Sequence, residues 1–99
     1  MKSRFHEAAD AELTEAVRYY DAKAPGLGDR FLAEVKAATR RIEQFPEIAP
    51  VIEYSVRGKM LHSFPYRIMY VVDPGELFIV AIAHGKRRPG YWADRLPRG

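Results

Sequence analysis

The spacing of apolar residues changes once along this chain, from steps of three and four to steps of two, and that change limits what it can fold into. In the first half, Leu13, Ala16, Val17, Tyr20 and Ala24 recur at the helix period and form one apolar stripe. Phe31, Val35, Ala38, Ile42 and Phe45 form a second stripe of the same kind. Between them Pro25-Gly26-Leu27-Gly28 stops one helix and reverses the chain. The spacing predicts helices over about Glu7–Lys23 and Asp29–Phe45, joined as an αα-hairpin whose stripes face a common core. Glu7, Asp10 and Glu12 suit the positive end of the first helix dipole. Arg40 and Arg41 suit the negative end of the second, which Pro46 terminates.

Beyond the hairpin the period becomes that of strands. Val56, Met60 and Phe64 share one parity of a stretch weakened at Gly58. Tyr66, Ile68, Tyr70 and Val72 alternate with Arg67, Met69 and Val71, and β-branched and aromatic types dominate. Asp73-Pro74-Gly75-Glu76 places Pro and Gly at the centre of a type II turn. Leu77 to His84 then returns as a strand, apolar on both parities and therefore central. Phe64-Pro65 separates the first two strands. Lys2 to Phe5 is a candidate edge strand, and a short helix is expected within the basic, aromatic tail, around Tyr91 to Arg95. The expected fold is α+β: an N-terminal strand and an α-helical hairpin packed on a small antiparallel sheet, in the order β-α-α-β-β-β, with a short C-terminal tail or helix.

With 99 residues the chain supports one core, so a single domain spanning 1–99 is expected. Cysteine is absent, which excludes a disulfide framework, a thiol nucleophile and thiolate metal sites. The N-terminus turns acidic by Glu7 without the apolar stretch of a signal peptide. The longest apolar run, Leu77 to Ala83, is too short to cross a bilayer. A soluble, cytoplasmic protein with no membrane association is expected. Charge is unevenly spread. Met1 to Pro50 carries eight Lys and Arg against nine Asp and Glu, whereas Val51 to Gly99 carries eight against four. The surplus is densest at Lys86-Arg87-Arg88, which favours an anionic partner, either nucleic acid or an acidic protein segment; a solvated face is the plain alternative.

Several segments together resemble the RelE/ParE toxin superfamily. Glu7-Ala8-Ala9-Asp10-Ala11-Glu12-Leu13, Tyr19-Tyr20 and Pro25-Gly26-Leu27-Gly28 followed by Arg30-Phe31 are similar to its helical hairpin. Ile42, Phe45-Pro46 and Pro50 are similar to the exit from that hairpin. Phe64-Pro65-Tyr66-Arg67-Ile68 with Tyr70 resembles its central strands, and Ala83-His84-Gly85 with Arg87-Arg88-Pro89 its terminal segment. The wording of the hairpin is most similar to the ParE-like, plasmid-stabilisation-like subgroup. The resemblance implies the toxin of a type II toxin–antitoxin pair, held silent by a cognate acidic antitoxin and reaching operator DNA only through it. ParE-like members inhibit DNA gyrase, whereas RelE-like members cut messenger RNA in the ribosomal decoding site. The first action is expected here, and the second is its alternative. The first makes the chain an inhibitor of an enzyme; the second makes it a metal-independent endoribonuclease. A non-toxic interaction domain is a third reading. No cofactor is implied.

If the chain is a nuclease, attack of a 2′-hydroxyl on its phosphate needs proton transfer and cations that steady the transition state. Arg67 and either Arg87 or Arg88 could supply the charge, and His84 or Tyr91 the proton transfer. Arg57, Lys59, Lys86, Arg87 and Arg88 are the candidates for gripping a target or nucleic acid. Tyr19, Tyr20, Arg67 and Lys86 are those for the antitoxin, Tyr19 and Tyr20 being adjacent so that one faces inward. Structural roles compete: Arg67 could pair with a helix carboxylate, His84 could be a hydrogen-bonded strand end, and Trp92 reads as an anchor for the tail. His6, His62 and His84 share no spacing that reads as a metal site.

Overall fold

In the computed structural model, which describes residues 1–97, the chain opens with strand β1 (Lys2–Phe5) and enters helix α1 (Glu7–Lys23). The entry is capped by a side chain outside the usual capping set: His6 Nδ1 accepts the Ala8 N–H at 3.0 Å. Ala9 and Ala16 are buried on the inner face, with Leu13, Val17 and Tyr20 packed beside them. Ala24, expected at the end of this stripe, is exposed, because it adopts an extended conformation past the last turn.

Helix α2 runs Leu27–Gln44, starting two residues earlier than the stripe suggests. Gly26 takes a left-handed conformation (φ 83°), which lets the chain reverse within a few residues. Gly28 lies where the two helices touch. A Cβ there would come within 2.4 Å of the Val17 carbonyl oxygen, and its N–H donates to Asp21 Oδ1 at 2.8 Å. Phe31, Val35 and Ile42 are buried as the period requires. Phe45 is a correction: it leaves helical geometry (φ −134°, ψ 77°), so its ring swings off the stripe and stands in solvent. Toward the sheet, Glu34 accepts the N–H groups of His62 and Ser63, tying α2 to the loop between two strands. Burial opposes its ionisation, but these N–H groups outweigh that and hold its carboxyl below the usual range.

The sheet holds five strands: β1, β2 (Val51–Glu53), β3 (Val56–Met60), β4 (Tyr66–Asp73) and β5 (Glu76–His84), in the spatial order β1-β5-β4-β3-β2. β1 lies parallel to β5, and the remaining pairs are antiparallel. The expected class, an N-terminal strand and helical hairpin on a small sheet, is what the chain forms. The meander has four strands rather than three, because β2 and β3 make a hairpin through Tyr54 and Ser55. Both have positive φ without being glycine, so no turn signal marks them. β3 is also shorter than its parity suggested. It ends at Met60, which is exposed, and Phe64 packs under the helices from a loop.

β5 is central and buried along nearly its whole length. Both of its parities are apolar because both faces are covered, and a bulge switches which parity faces which side: Met69 pairs with Ala81 and Tyr70 with Ile79, leaving Val80 as an extra residue. Leu77, Ile79 and Ile82 therefore face the helices, whereas Phe78, Ala81 and Ala83 face the other side. That second side has no helix over it. The chain after His84 folds back instead, placing Trp92 against Val56 and Met69 and closing with a 3₁₀ turn (Ala93–Arg95) where a short helix was expected. The last two positions of the basic tail, 98 and 99, lie outside the described residues.

Candidate target-binding site

Where the tail crosses the open sheet face it leaves a cavity of about 270 Å³. Its floor is apolar, from Ile52, Met60, Met69 and Trp92, and its rim carries Arg67, Arg87 and Arg88. Strand register aims Arg67 here: it pairs with Met60, two positions from the Gly58–Met69 pair, so its side chain leaves the same face as theirs. His84 and Tyr91 complete the wall. The cavity thus brings together Arg67, His84, Arg87, Arg88 and Tyr91.

His84 is held by the tail it begins. Its Nδ1 accepts the Lys86 N–H at 3.0 Å, leaving Nε2 as the free ring nitrogen, and its ring meets Tyr66 edge-on at 5.0 Å. Arg87 stacks its guanidinium 3.9 Å above the Tyr91 ring. Tyr91 in turn donates its hydroxyl to Glu12 Oε2 at 2.7 Å. Burial, reinforced by that hydrogen bond to a carboxylate, pushes the phenol far above its ordinary range.

Glu12, which is not among the candidates named from the sequence, organises this end of the molecule. Arg95 forks onto it with Nη1 to Oε1 at 2.9 Å and Nη2 to Oε2 at 3.0 Å, and Nη1 also donates to the Val80 carbonyl. The Ile82 N–H donates to Glu12 Oε1 at 3.0 Å. The reason lies in the sheet. β1 pairs with β5 only as far as Ile79, so the rest of this edge has no strand beside it. Glu12 and Arg95 satisfy backbone groups a longer β1 would have taken. The hydrogen bond to Glu12 holds the Arg95 guanidinium above its usual pKa. One signal was legible: Glu12 lies three residues after buried Ala9 and four before buried Ala16, a carboxylate beside an apolar stripe.

The other candidates lie elsewhere. Arg57 pairs with Tyr70 and Lys59 with Ile68, so both leave the sheet on the helix side, opposite to Arg67. Arg57 is also engaged, donating to the Ala49 carbonyl at 2.6 Å beside the Glu47 carboxylate. Lys86 is exposed and does not line the cavity. Tyr20 faces the core against Phe31 and Phe64. Its neighbour Tyr19 stands in solvent and borders a second cleft with Glu15, which shares His84, Arg87 and Tyr91 with the first cavity. Among the described residues no three His, Asp or Glu side chains converge closely enough to hold a metal ion.

Comparison with known proteins gives the family. Residues 4–89 match the family model described as the ParE toxin of type II toxin–antitoxin system, parDE. The chain is 34% identical over 88 residues to Toxin ParE2 of Mycobacterium tuberculosis, in both strain CDC 1551 / Oshkosh and strain H37Rv; the match covers 87% of this chain and 83% of the relative. Its fold is similar to a chain of the chromosomal ParDE TA system from P. aeruginosa, with a TM-score of 0.65 at 18% identity, over 85% of this chain and 95% of that one.

Proposed function

Because the chain belongs to the ParE toxins of type II toxin–antitoxin systems, and so has a cognate antitoxin, we propose that it arrests growth by binding DNA gyrase through the arginine-rimmed cavity. The observation that supports binding over catalysis is the state of the proton-handling groups. Tyr91 has its hydroxyl committed to Glu12 and its pKa raised far from neutrality, and His84 has one ring nitrogen occupied. Strand scission by 2′-hydroxyl attack needs both a base and an acid, and of these two side chains His84 Nε2 alone is left without a hydrogen bond. The same features suit a grip. Arg87 is preoriented by stacking on a fixed ring, so little side-chain freedom is lost when it meets a carboxylate. The apolar floor accepts a partner's aliphatic or aromatic side chain, and Arg67, Arg87 and Arg88 accept the acidic residues flanking it. An acidic antitoxin segment laid over the same rim silences the toxin by occupying it. No helix among the described residues is long and apolar enough to cross a membrane, and the cytoplasm is the proposed place of action.

The test is a supercoiling assay with purified gyrase beside a translation reaction. Added protein is expected to abolish supercoiling and leave messenger RNA intact. Arg87→Ala with Arg88→Ala should weaken inhibition at least about tenfold, the loss of two charged contacts. Codon-positioned cleavage of the messenger, with supercoiling untouched, overturns the proposal in favour of the nuclease.

A further inference from the structure

The turn between β2 and β3 is built from residues that resist its geometry. Tyr54 and Ser55 both hold left-handed backbone conformations, with φ of 53° and 67°. Turns of this kind draw Asn, Asp and Gly, because a larger side chain crowds its own backbone at positive φ. The strands on either side impose the turn, since Val56 is fully buried and Glu53 pairs with it. They do not impose a tyrosine. The ring's own packing does not account for it either: Tyr54 is 69% exposed, more than any other large apolar side chain among the described residues. A bulky residue kept in a strained conformation, with its ring in water, points to a role outside folding.

The turn stands beside the arginine-rimmed cavity. Ile52 and Glu53, the two residues before it, line that cavity. Glu53 also reaches the tail: a Cβ added to Gly90 would come within 3.2 Å of its Oε1. Val56, just after the turn, packs in the cluster that Trp92 closes. The hairpin tip is thus rooted on the tail side of the sheet, the side on which Arg67, Arg87 and Arg88 form the rim. An exposed aromatic ring next to an apolar floor and a set of arginines has the composition of a contact surface. Tyrosine offers a large, stiff, amphipathic area there, with few torsions to fix. Held on so short a turn, it also loses little backbone freedom on contact.

We propose that Tyr54 is a further target-contact residue, packing its ring on an apolar segment of the partner whose carboxylates the arginines hold. This rests on the reading that the cavity grips a target protein. It extends the contact surface from the tail, across Ile52, to the tip of the β2–β3 hairpin, and makes the strained turn a feature kept for binding.

The experiment compares Tyr54→Asn, Tyr54→Phe and Ser55→Gly with the parent chain. It reads growth arrest on expression without antitoxin, inhibition of purified gyrase, antitoxin affinity and thermal unfolding. Tyr54→Asn removes the ring and suits the turn. It should unfold at or above the parent's midpoint, yet weaken gyrase inhibition at least about tenfold and move growth arrest to higher expression. Tyr54→Phe keeps the ring and should recover most of that loss. Ser55→Gly relieves the same kind of strain one residue away, and should unfold no earlier than the parent while inhibiting as well. Tyr54→Asn as potent as the parent overturns the proposal. So does a fall in its unfolding midpoint, which makes the ring a support of the fold, or a loss confined to antitoxin affinity, which gives the ring to that partner. A parent that arrests growth without inhibiting gyrase sinks the gyrase reading alone, and growth arrest by Tyr54→Asn then decides. A parent that does neither overturns both.

Discussion

Glu12 shows how much one side chain can decide. Its carboxylate is shared by a strand N–H, a tyrosine hydroxyl and a forked guanidinium, and Glu12 and Arg95 keep only 18% and 14% of their side-chain surface exposed. Removing it leaves the partly buried Arg95 cation with only the Val80 carbonyl and the Ile82 N–H with no partner. Glu12→Ala should therefore cost about 3 kcal/mol, whereas Tyr91→Phe, which removes one donor and leaves the ion pair intact, should cost about 1 kcal/mol. Urea unfolding of both variants checks the order; equal losses would mean that Tyr91, not Arg95, carries the network. Arg67 and Arg57 make the complementary point. Both are strand arginines of the basic half, but one residue of parity sends Arg67 to the cavity and Arg57 to the helix side, where Ala49 holds it. Their types were readable in sequence, but their faces depended on register.

At the scale of elements, the helical hairpin was legible because two independent signals agreed: the apolar period and the Pro-Gly-Leu-Gly break. The structure adds why the break holds two glycines. Gly26 supplies the left-handed turn, and Gly28 lets the helices approach until backbone meets backbone. Gly28→Ala should cost about 2 kcal/mol, because the clash is with the Val17 carbonyl rather than with a flexible side chain. Thermal unfolding measures this, and an unchanged midpoint would show that the crossing is looser than described. The β2–β3 hairpin was not legible. Tyr54-Ser55 carries none of the Gly or Asn residues that announce a tight turn, and a three-residue strand shows no period. Phe45 misled for a related reason: it keeps the helical step in sequence after the helix has ended.

On the scale of the molecule, the sheet is covered unequally. One face carries two helices, whereas the other carries only the chain after His84, pinned by Trp92. The arginine rim therefore depends on the same segment that completes the second cluster. Trp92→Ala should lose about 3–4 kcal/mol and should weaken gyrase inhibition as well, although Trp92 itself is buried. Paired unfolding and supercoiling measurements test this. Full inhibition in a destabilised variant would separate the rim from its support.

What the sequence determined was everything that repeats or punctuates: the helical stripes, the alternation of β4, the Pro-Gly turn before β5, and the excess of cations in the second half. Such signals arise from neighbours within a few residues, so one chain read in order contains them. Tertiary structure alone decided which arginines share a cavity, that Glu12 would replace the missing end of β1, and that a bulge at Val80 would switch which parity of β5 faces the helices. These depend on strand register and on partners about 70 or more residues apart, such as Glu12 with Ile82 and Arg95. No local pattern encodes such pairings, because their free energy appears only once the sheet has closed.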